Sequence, residues 1–223
     1  MTFRLHLIRH AEGIHNPGHD TTINDPILTE RGIKQSEDLC HEFPFSESVG
    51  LVITSPLTRT LHTALVGFQK ALDEEYYANN SGVPHGAKLL LEPDIQAHSA
   101  RPCDTGSDWS VLRSRFPYLL WDLLEQDPAF PAKTGRYLPE WEALEHRGRA
   151  VQQRMKRQFE ELEGSDRPDI ALVTHGGFMK FVSNDTKVPD TGKCRTVLVT
   201  FDEESRVTMQ RKKIIIMTTG VSI

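Results

Sequence analysis

Short apolar runs that alternate with helix-like segments are the feature that most constrains the fold of this chain. Residues 3–8 form one such run and lead into Arg9 and His10, and residues 169–174 form another and lead into His175. Apolar runs of this length, bounded by polar or turn residues, are typical of buried strands, and strands that alternate with helices are typical of α/β proteins. The sequence therefore predicts an α/β fold.

Further strands are expected on the same grounds. Residues 49–55 and 88–95 are apolar runs that end at polar or turn residues. Residues 194–202 and 207–217 are expected to pair as a hairpin, with a short acidic turn between them.

The predicted helices fill the intervals between these strands. Thr29 is a suitable N-cap for a helix within residues 27–43. The apolar positions of that helix are Ile33, Leu39 and Phe43. Further helices are expected at 57–75, at 109–124 with an interruption at Pro117, and at 140–163.

Composition narrows the class of protein. The 223 residues fit a single domain, and 38% hydrophobic with 26% charged residues is usual for a globular chain. The net charge of −5 argues against nucleic acid as a partner. Three widely spaced cysteines, no signal-peptide pattern and no run of about 20 apolar residues predict a cytoplasmic protein with no membrane partner. The oligomeric state is left open.

The ends of three predicted strands carry groups suited to a phosphate. The first strand ends at Arg9 and His10, the second is followed by Arg59, and the strand at 169–174 is followed by His175 and Gly176. In open parallel sheets, ligands bind at the carboxyl ends of the strands. We therefore expect these side chains to meet in one phosphate-handling site.

The residue types at these strand ends suit phosphoryl chemistry. Arginine donates planar bidentate hydrogen bonds to phosphate oxygens, and glycine lets the first amide groups of a helix approach an anion closely. A neutral imidazole can attack phosphorus, and a second, protonated imidazole can stabilise charge on the transferring oxygens.

Four segments of the chain resemble the histidine phosphatase superfamily, which includes the cofactor-dependent phosphoglycerate mutases. They are LIRHAEGIHN, DPILTERGIKQSEDL, ITSPLTRTLHTA and ALVTHGGFM, in that order along the chain. The resemblance runs from residue 3 to about residue 183. RPCDTGSD further resembles a motif of a branch of small intracellular phosphatase-like members. This resemblance implies a three-layer sandwich, with a mostly parallel central sheet flanked by helices.

The resemblance also implies roles for individual residues. His10 would be the nucleophile that forms a phosphohistidine, and Arg9, Arg59 and His175 would surround the phosphoryl group. Asn16 would add a polar contact to the phosphate. No metal or cofactor is implied, because the arginines and a histidine supply the positive charge.

One position departs from the family pattern. Family members usually carry a glutamate as general acid shortly after the third strand, and this chain has Ala97 there. A general acid is worth about 10²–10⁴ in rate. The nearby carboxylates that could replace it are Asp104, as first choice, and then Asp94, Glu92 and Glu12. His98 and Arg101 could add positive charge beside the pocket for a multiply charged substrate.

Some of these residues also allow a metal-binding or a purely structural interpretation. His10, His15, His19 and Asp20 could be metal ligands, but Pro17 and Gly18 prevent a shared helical face. Asn16 could instead be a turn residue, and Asp104 could simply form an Asx turn.

The sequence predicts a metal-independent phosphatase that hydrolyses a small phosphorylated substrate, with inorganic phosphate as a further ligand. A mutase is disfavoured, since the chain lacks the longer insertion typical of mutases after the Arg59 helix. The alternative is a catalytically weakened phosphate-binding, sensor or scaffold protein, because of Ala97. The substrate is not identified by the sequence.

Overall fold

The computed structural model describes residues 2–77, 79, 81–119, 121, 126–183, 187–204 and 206–210. The strands of this part are β1 Phe3–Arg9, β2 Val49–Thr54, β3 Lys88–Leu91, β4 Asp169–Thr174, β5 Cys194–Phe201 and β6 Val207–Gln210. The α-helices are α1 Glu30–Glu42, α2 Thr58–Gly67, α3 Trp109–Arg115, α4 Trp141–Leu162 and α5 Gly176–Ser183.

The six strands form one mixed sheet in the order β3-β2-β4-β1-β5-β6. The four strands from β3 to β1 run parallel, and β5 and β6 are added antiparallel at the edge beyond β1. The central strand β4 is buried along its whole length, as expected for a parallel strand covered on both faces. The predicted α/β fold with a mostly parallel sheet is confirmed.

Helices cover both faces of the sheet, so the molecule has three layers. On one face, Leu39 of α1 and Leu61 of α2 pack against Val52 of β2. On the other face, Met155 of α4 and Phe178 of α5 pack with residues of β1, β2 and β4. Neighbouring positions of β4 alternate between the two clusters, because side chains of a strand point to opposite faces.

The predicted start of α1 is confirmed in detail. The Thr29 side chain accepts a hydrogen bond from the Gly32 amide, which satisfies a free donor of the first turn. Leu39 and Phe43 are buried as predicted, but Ile33 is 37% exposed. The prediction was wrong for Ile33, because the buried side of α1 also includes Gly32 and Ser36.

Helix α2 is shorter than predicted. It ends at Gly67, where an added Cβ would lie 2.8 Å from Leu39 Cδ2. A larger residue at this position would require the Leu39 side chain to move. Leu72 is fully buried as expected, although it lies beyond the helix.

The C-terminal hairpin is confirmed for its described part. β5 and β6 pair antiparallel from Leu198 opposite Gln210 to Phe201 opposite Val207. The rest of the strand expected at 207–217 lies outside the described residues, as does the end of the helix expected at 109–124. Within the described part, that helix ends at Arg115, shortly before Pro117.

No helix among the described residues is both long enough and apolar enough to span a membrane.

Candidate active site

The carboxyl ends of β1, β2 and β4 lie side by side. Arg9 is opposite Thr174 in the β1–β4 pair, and the His10 amide donates a 3.0 Å hydrogen bond to the Thr174 carbonyl. The Ser55 amide donates a 3.1 Å hydrogen bond to the Val173 carbonyl. The residues that follow these three strands therefore meet at one edge of the sheet.

Two imidazoles and one guanidinium form the centre of this edge. The ring centroids of His10 and His175 are 5.2 Å apart, and the rings are inclined by 54°. Arg59 reaches them from the first turn of α2, with its Nη2 3.0 Å from His175 Nδ1. His10, Arg59 and His175 are 4%, 1% and 3% exposed, so three basic side chains are buried together.

Hydrogen bonding fixes which nitrogen of His10 can react. His10 Nδ1 lies 2.8 Å from the Ala11 carbonyl oxygen, which can only accept, so this nitrogen carries the proton. Burial, followed by the charge of Arg59, lowers the pKa of His10 well below its ordinary value. The imidazole is therefore neutral at pH 7, with an unshared electron pair on Nε2. That is the form that a nucleophile needs.

His175 is also held in one neutral tautomer. Arginine can only donate, so His175 Nδ1 accepts from Arg59, and the opposite nitrogen donates to Ser55 Oγ at 3.0 Å. Burial and then the charges of Arg59 and His10 lower the pKa of His175 well below its ordinary value. The sequence analysis included a protonated second imidazole. In the structure His175 is neutral, because it is buried and its Nδ1 accepts a hydrogen bond from the Arg59 cation.

Arg59 is anchored by a loop that contains Asp104. Its Nη1 donates to the Cys103 carbonyl at 2.8 Å, and its Nη2 is 3.3 Å from Asp104 Oδ1. The other carboxylate oxygen of Asp104 accepts a 2.7 Å hydrogen bond from Ser99 Oγ. Both oxygens of Asp104 thus act as acceptors, and the carboxylate orients Arg59.

Arg9 and Gly176 flank this centre. Arg9 is half-buried, and its Nε has no hydrogen-bond partner in the structure. An added Cβ on Gly176 would lie 3.3 Å from this Nε, so α5 begins directly beside the guanidinium. Arg59 Nε is likewise buried without a partner. Two arginine donors are therefore available to an anion at this edge.

Asn16 is placed next to a histidine that the sequence-based site did not include. Asn16 Oδ1 accepts from the Gly13 amide at 2.8 Å, and its Nδ2 lies 3.0 Å from His15 Nε2. The His15 ring is 6.0 Å from the His10 ring. Burial, and then the charge of Arg59, lower the pKa of His15 to about 4. The proximity of His15 to His10 in the sequence was the only signal for it.

The other carboxylates considered as proton donors lie away from the two imidazoles. Glu12 accepts from Thr29 and pairs with Arg31 at the start of α1. Glu92 and Asp94 both pair with Arg154 of α4. These three carboxylates therefore serve the helices beside the site.

Ala97 is fully buried, and its carbonyl oxygen accepts a 2.9 Å hydrogen bond from Lys133 Nζ. Lys133 belongs to none of the sequence motifs, so only the tertiary structure reveals its position. His98, the next residue, packs on α5, where an added Cβ on Gly177 would lie 2.2 Å from His98 Nδ1. Arg101 is exposed.

A second charged region lies on the α4 side of the sheet. We call it the α4 cleft and define it by Glu92, Asp94, Arg136 and Arg154, which line a cavity of about 480 Å³. Arg136 pairs with Asp94 and Asp127, and Arg154 pairs with Glu92 and Asp94. Opposite charges in this cleft therefore bind one another.

Across the described ranges, no group of three or more His, Cys, Asp or Glu side chains is arranged to hold a metal ion.

Comparison with known proteins places these residues in a wider context. Residues 5–76 match the profile of the histidine phosphatase superfamily (branch 1), a range that includes Arg9, His10 and Arg59. A protein of Schizosaccharomyces pombe named as a probable phosphatase is 25% identical over 190 residues, covering 84% of this chain and 80% of that protein. Phosphoglycerate mutase-like protein 1 of Arabidopsis thaliana is 29% identical over 203 residues, covering 78% of this chain and 68% of that protein.

Solved structures share the fold at low sequence identity. The phosphoglycerate mutase of Bacillus anthracis superposes with a TM-score of 0.55 at 14% identity, covering 94% of this chain and 92% of that one. The α-ribazole phosphatase of Shigella flexneri superposes with a TM-score of 0.52 at 18% identity, covering 93% and 95%. The expected phosphoglycerate mutase-like fold is confirmed.

Proposed function

We propose, from the premise that this chain is related in sequence and in fold to the histidine phosphatase superfamily, that it is a phosphatase for a small phosphomonoester. One observation carries the proposal. Two neutral imidazoles lie 5.2 Å apart beside the buried guanidinium of Arg59, at the carboxyl edge of a parallel sheet. This combination supplies a nucleophile and cationic donors for a phosphate dianion.

In the first step, His10 Nε2 attacks phosphorus and the bond from phosphorus to the ester oxygen breaks. The ester oxygen leaves with the bonding pair and takes up a proton, and a phosphohistidine forms. Water then attacks the phosphohistidine, loses a proton, and releases inorganic phosphate and His10. The protein's contribution is position and charge, as in phosphoryl transfer generally.

Arg9 and Arg59 would bind the phosphoryl oxygens with the side-chain donors that lack partners. Gly176 would add the first amide group of α5. Asn16 would act through His15, which its amide group contacts at 3.0 Å. Asp104 would orient Arg59, and its prediction as proton donor is tested below against a second residue.

The proposal is tested in two ways: by phosphate release from p-nitrophenyl phosphate with EDTA present, and by transfer of a radiolabelled phosphoryl group to the protein in turnover mixtures that are quenched with alkali. We expect acid-labile, alkali-stable label on the wild-type protein and none on the His10→Asn variant, which should also lose turnover. His62→Asn is the matched control, because the His62 ring packs against Phe116 and has no part in the proposed mechanism. Full activity of His10→Asn would refute the phosphohistidine mechanism.

Ala97 favours a second candidate function, that of a phosphate-binding sensor or scaffold. It predicts that phosphate binds while neither an aryl nor an alkyl phosphate is hydrolysed. Hydrolysis of either ester by the wild-type protein, lost in His10→Asn, would exclude it.

A further inference from the structure

The proposed reaction requires a proton for the leaving oxygen. An alkoxide anion is a poor leaving group unless a positioned acid protonates it as it departs, and the ideal acid has a pKa near the working pH. His10 and His175 have pKa values well below the ordinary one and both act in other hydrogen bonds. Asp104 accepts hydrogen bonds with both oxygens. The centre of the site therefore offers no obvious proton for an alkyl ester.

Lys133 brings a protonated group to this edge from a different part of the chain. Its Nζ donates a 2.9 Å hydrogen bond to the Ala97 carbonyl, the only acceptor recorded for it in the described part of the structure. An ammonium group has three donors, so two remain. The side chain is half-buried, and His98, the residue after Ala97, packs on Gly177 at the start of α5.

Aromatic packing attaches the Lys133 loop to the loop that carries Asp104. Phe130 is buried against Gly106, where an added Cβ would lie only 2.3 Å from Phe130 Cζ. The Phe130 ring also lies 4.8 Å from that of Trp109. Lys133, three residues after Phe130, is thus positioned by the same segment that holds Arg59.

Burial and the surrounding charges bring the pKa of Lys133 close to the working pH. Burial, followed by the charge of Arg147, lowers its pKa to about 7, and Asp104 opposes this shift. The pKa values of His98 and His175 are lowered mainly by burial, and the positive charge of Lys133 also contributes to lowering them. The titratable or charged groups that act on Lys133 or respond to it are Arg147, Asp104, Arg59, Cys103, His98 and His175.

We propose that Lys133 is the catalytic proton donor to the leaving oxygen, in place of a carboxylic acid. The proposal rests on the proposed phosphatase function. As the bond from phosphorus to oxygen breaks, a proton passes from Lys133 Nζ to the departing alkoxide, which leaves as an alcohol. The neutral amine then accepts the proton of the water that attacks the phosphohistidine, which restores the ammonium.

Two simpler roles for Lys133 make different predictions. If it only fixes the Ala97 carbonyl, its replacement should affect all substrates equally. If it only binds a second anionic group of the substrate, an arginine should substitute for it, and the loss should appear in KM. A proton donor instead affects kcat/KM for substrates with a basic leaving oxygen, and an arginine cannot replace it because its guanidinium does not give up its proton.

The test compares p-nitrophenyl phosphate, whose leaving oxygen needs little protonation, with an alkyl phosphate. We expect Lys133→Met and Lys133→Arg to lower kcat/KM for the alkyl phosphate by about 10²–10⁴-fold and to affect kcat/KM for the aryl ester far less, because kcat/KM reports the steps up to loss of the leaving oxygen. Lys180→Met is the matched control, since Lys180 is a neighbouring cation that packs on the rings of Trp141 and Phe181. It should leave the ratio of the two rates unchanged.

The pH profile gives an independent readout. For the alkyl phosphate, kcat/KM of the wild-type protein should fall as the pH rises above about 7, because Lys133 loses its proton there. That descending limb should be absent in Lys133→Met. Equal losses of kcat/KM on both esters, full rescue by Lys133→Arg, or the leaving-group signature in Asp104→Asn instead would each overturn the proposal.

If the proposed phosphatase function is wrong, the measurements give a different result. In that case the wild-type protein hydrolyses neither ester and carries no label on His10. An active wild-type protein whose Lys133 variants keep the wild-type ratio of rates would refute the proton donor alone.

Discussion

The candidate active site and the α4 cleft are both rich in charged side chains, but those side chains are paired differently in the two regions. In the α4 cleft, Arg136 and Arg154 are paired with Glu92, Asp94 and Asp127. In the candidate active site, Arg9 and Arg59 each keep a buried Nε without a partner. Asp104 is the one carboxylate that pairs there with an arginine among the described residues.

This difference separates a structural role from a functional one. Buried charges that bind one another have little left for a ligand, and breaking such a pair destabilises the fold. Buried cationic donors without partners are costly, and an arriving anion removes that cost. Net positive potential at one edge of an acidic protein is therefore best explained by an anionic substrate.

Replacing an arginine by methionine should lower activity in the candidate active site and lower stability in the α4 cleft. We expect Arg59→Met to lower kcat/KM for p-nitrophenyl phosphate by about 10²–10³-fold, because an aligned donor to the transferring oxygens is lost. Arg154→Met should keep activity and lose about 1–3 kcal/mol of unfolding free energy, since Glu92 and Asp94 lose their partner. Steady-state kinetics and urea denaturation measure the two effects. Equal loss of activity in both variants would break the comparison.

Phosphate should stabilise the protein through the candidate active site. At a concentration 100-fold above its Kd, phosphate is expected to raise the unfolding free energy by about 2.7 kcal/mol. Thermal or urea denaturation with increasing phosphate measures this gain at constant ionic strength. Arg59→Met should abolish most of the gain and Arg154→Met should preserve it. A gain that survives in Arg59→Met would place the anion elsewhere.

Acid should destabilise the candidate active site through its neutral histidines. The pKa of His15 is lowered to about 4, and burial and the charge of Arg59 lower the pKa values of His10 and His175 well below their ordinary value. Unfolded histidines bind protons below about pH 6.5, so the unfolded state gains protons that the folded state does not. Stability should therefore fall as the pH decreases below about 6.5, by up to about 1.4 kcal/mol per pH unit for each histidine.

Urea denaturation measures how stability changes with pH. The pH range runs from about 7.5 to about 5, which lies on both sides of the unfolded histidine pKa of about 6.5. The His15→Asn variant should lose the share of one histidine, and saturating phosphate should flatten the slope further. An unchanged slope in His15→Asn would show that His15 is not held neutral by the fold.

The smallest expected effect concerns the position of Lys133. In Gly106→Ala, the new Cβ would meet Phe130 at 2.3 Å and displace the loop that carries Lys133. A displacement of about 1 Å can cost about 10²-fold, and partial rotation of Phe130 should limit the loss on alkyl phosphates to about tenfold. Gly18→Ala is the control, because an added Cβ there meets nothing within 4 Å. Equal losses on alkyl and aryl phosphates would separate Gly106 from proton donation.

Much of the fold could be predicted from local sequence. Apolar runs and the Thr29 cap gave the strands and the start of α1, because burial and capping depend on adjacent residues. The end of α2 at Gly67 could not be predicted from apolar spacing, since Leu72 beyond the helix is also fully buried. The exposure of Ile33 is likewise set by tertiary packing. The single domain and the cytoplasmic location stay predictions.

For the candidate site, strand ends were informative and loops were not. His10, Arg59 and His175 follow strands whose carboxyl ends must meet, so their proximity followed from topology. Their catalytic roles, and those of Arg9, Asn16, Gly176 and Asp104, stay predictions. His15 and Lys133 could not be assigned, because their positions depend on contacts with Asn16 and Ala97 that no periodic pattern encodes.

The parallel pairing of β1 with β4 has a consequence for synthesis of the protein. Arg9 lies opposite Thr174, so the two imidazoles meet only after most of the chain has left the ribosome. A nascent chain that stops before β4 holds His10 without His175, so it lacks one of the two imidazoles on which the proposed function rests. Under the proposed function, phosphatase activity should therefore appear during translation only after the central strand β4 has been inserted into the sheet. An enzyme assay would then report when that strand is inserted.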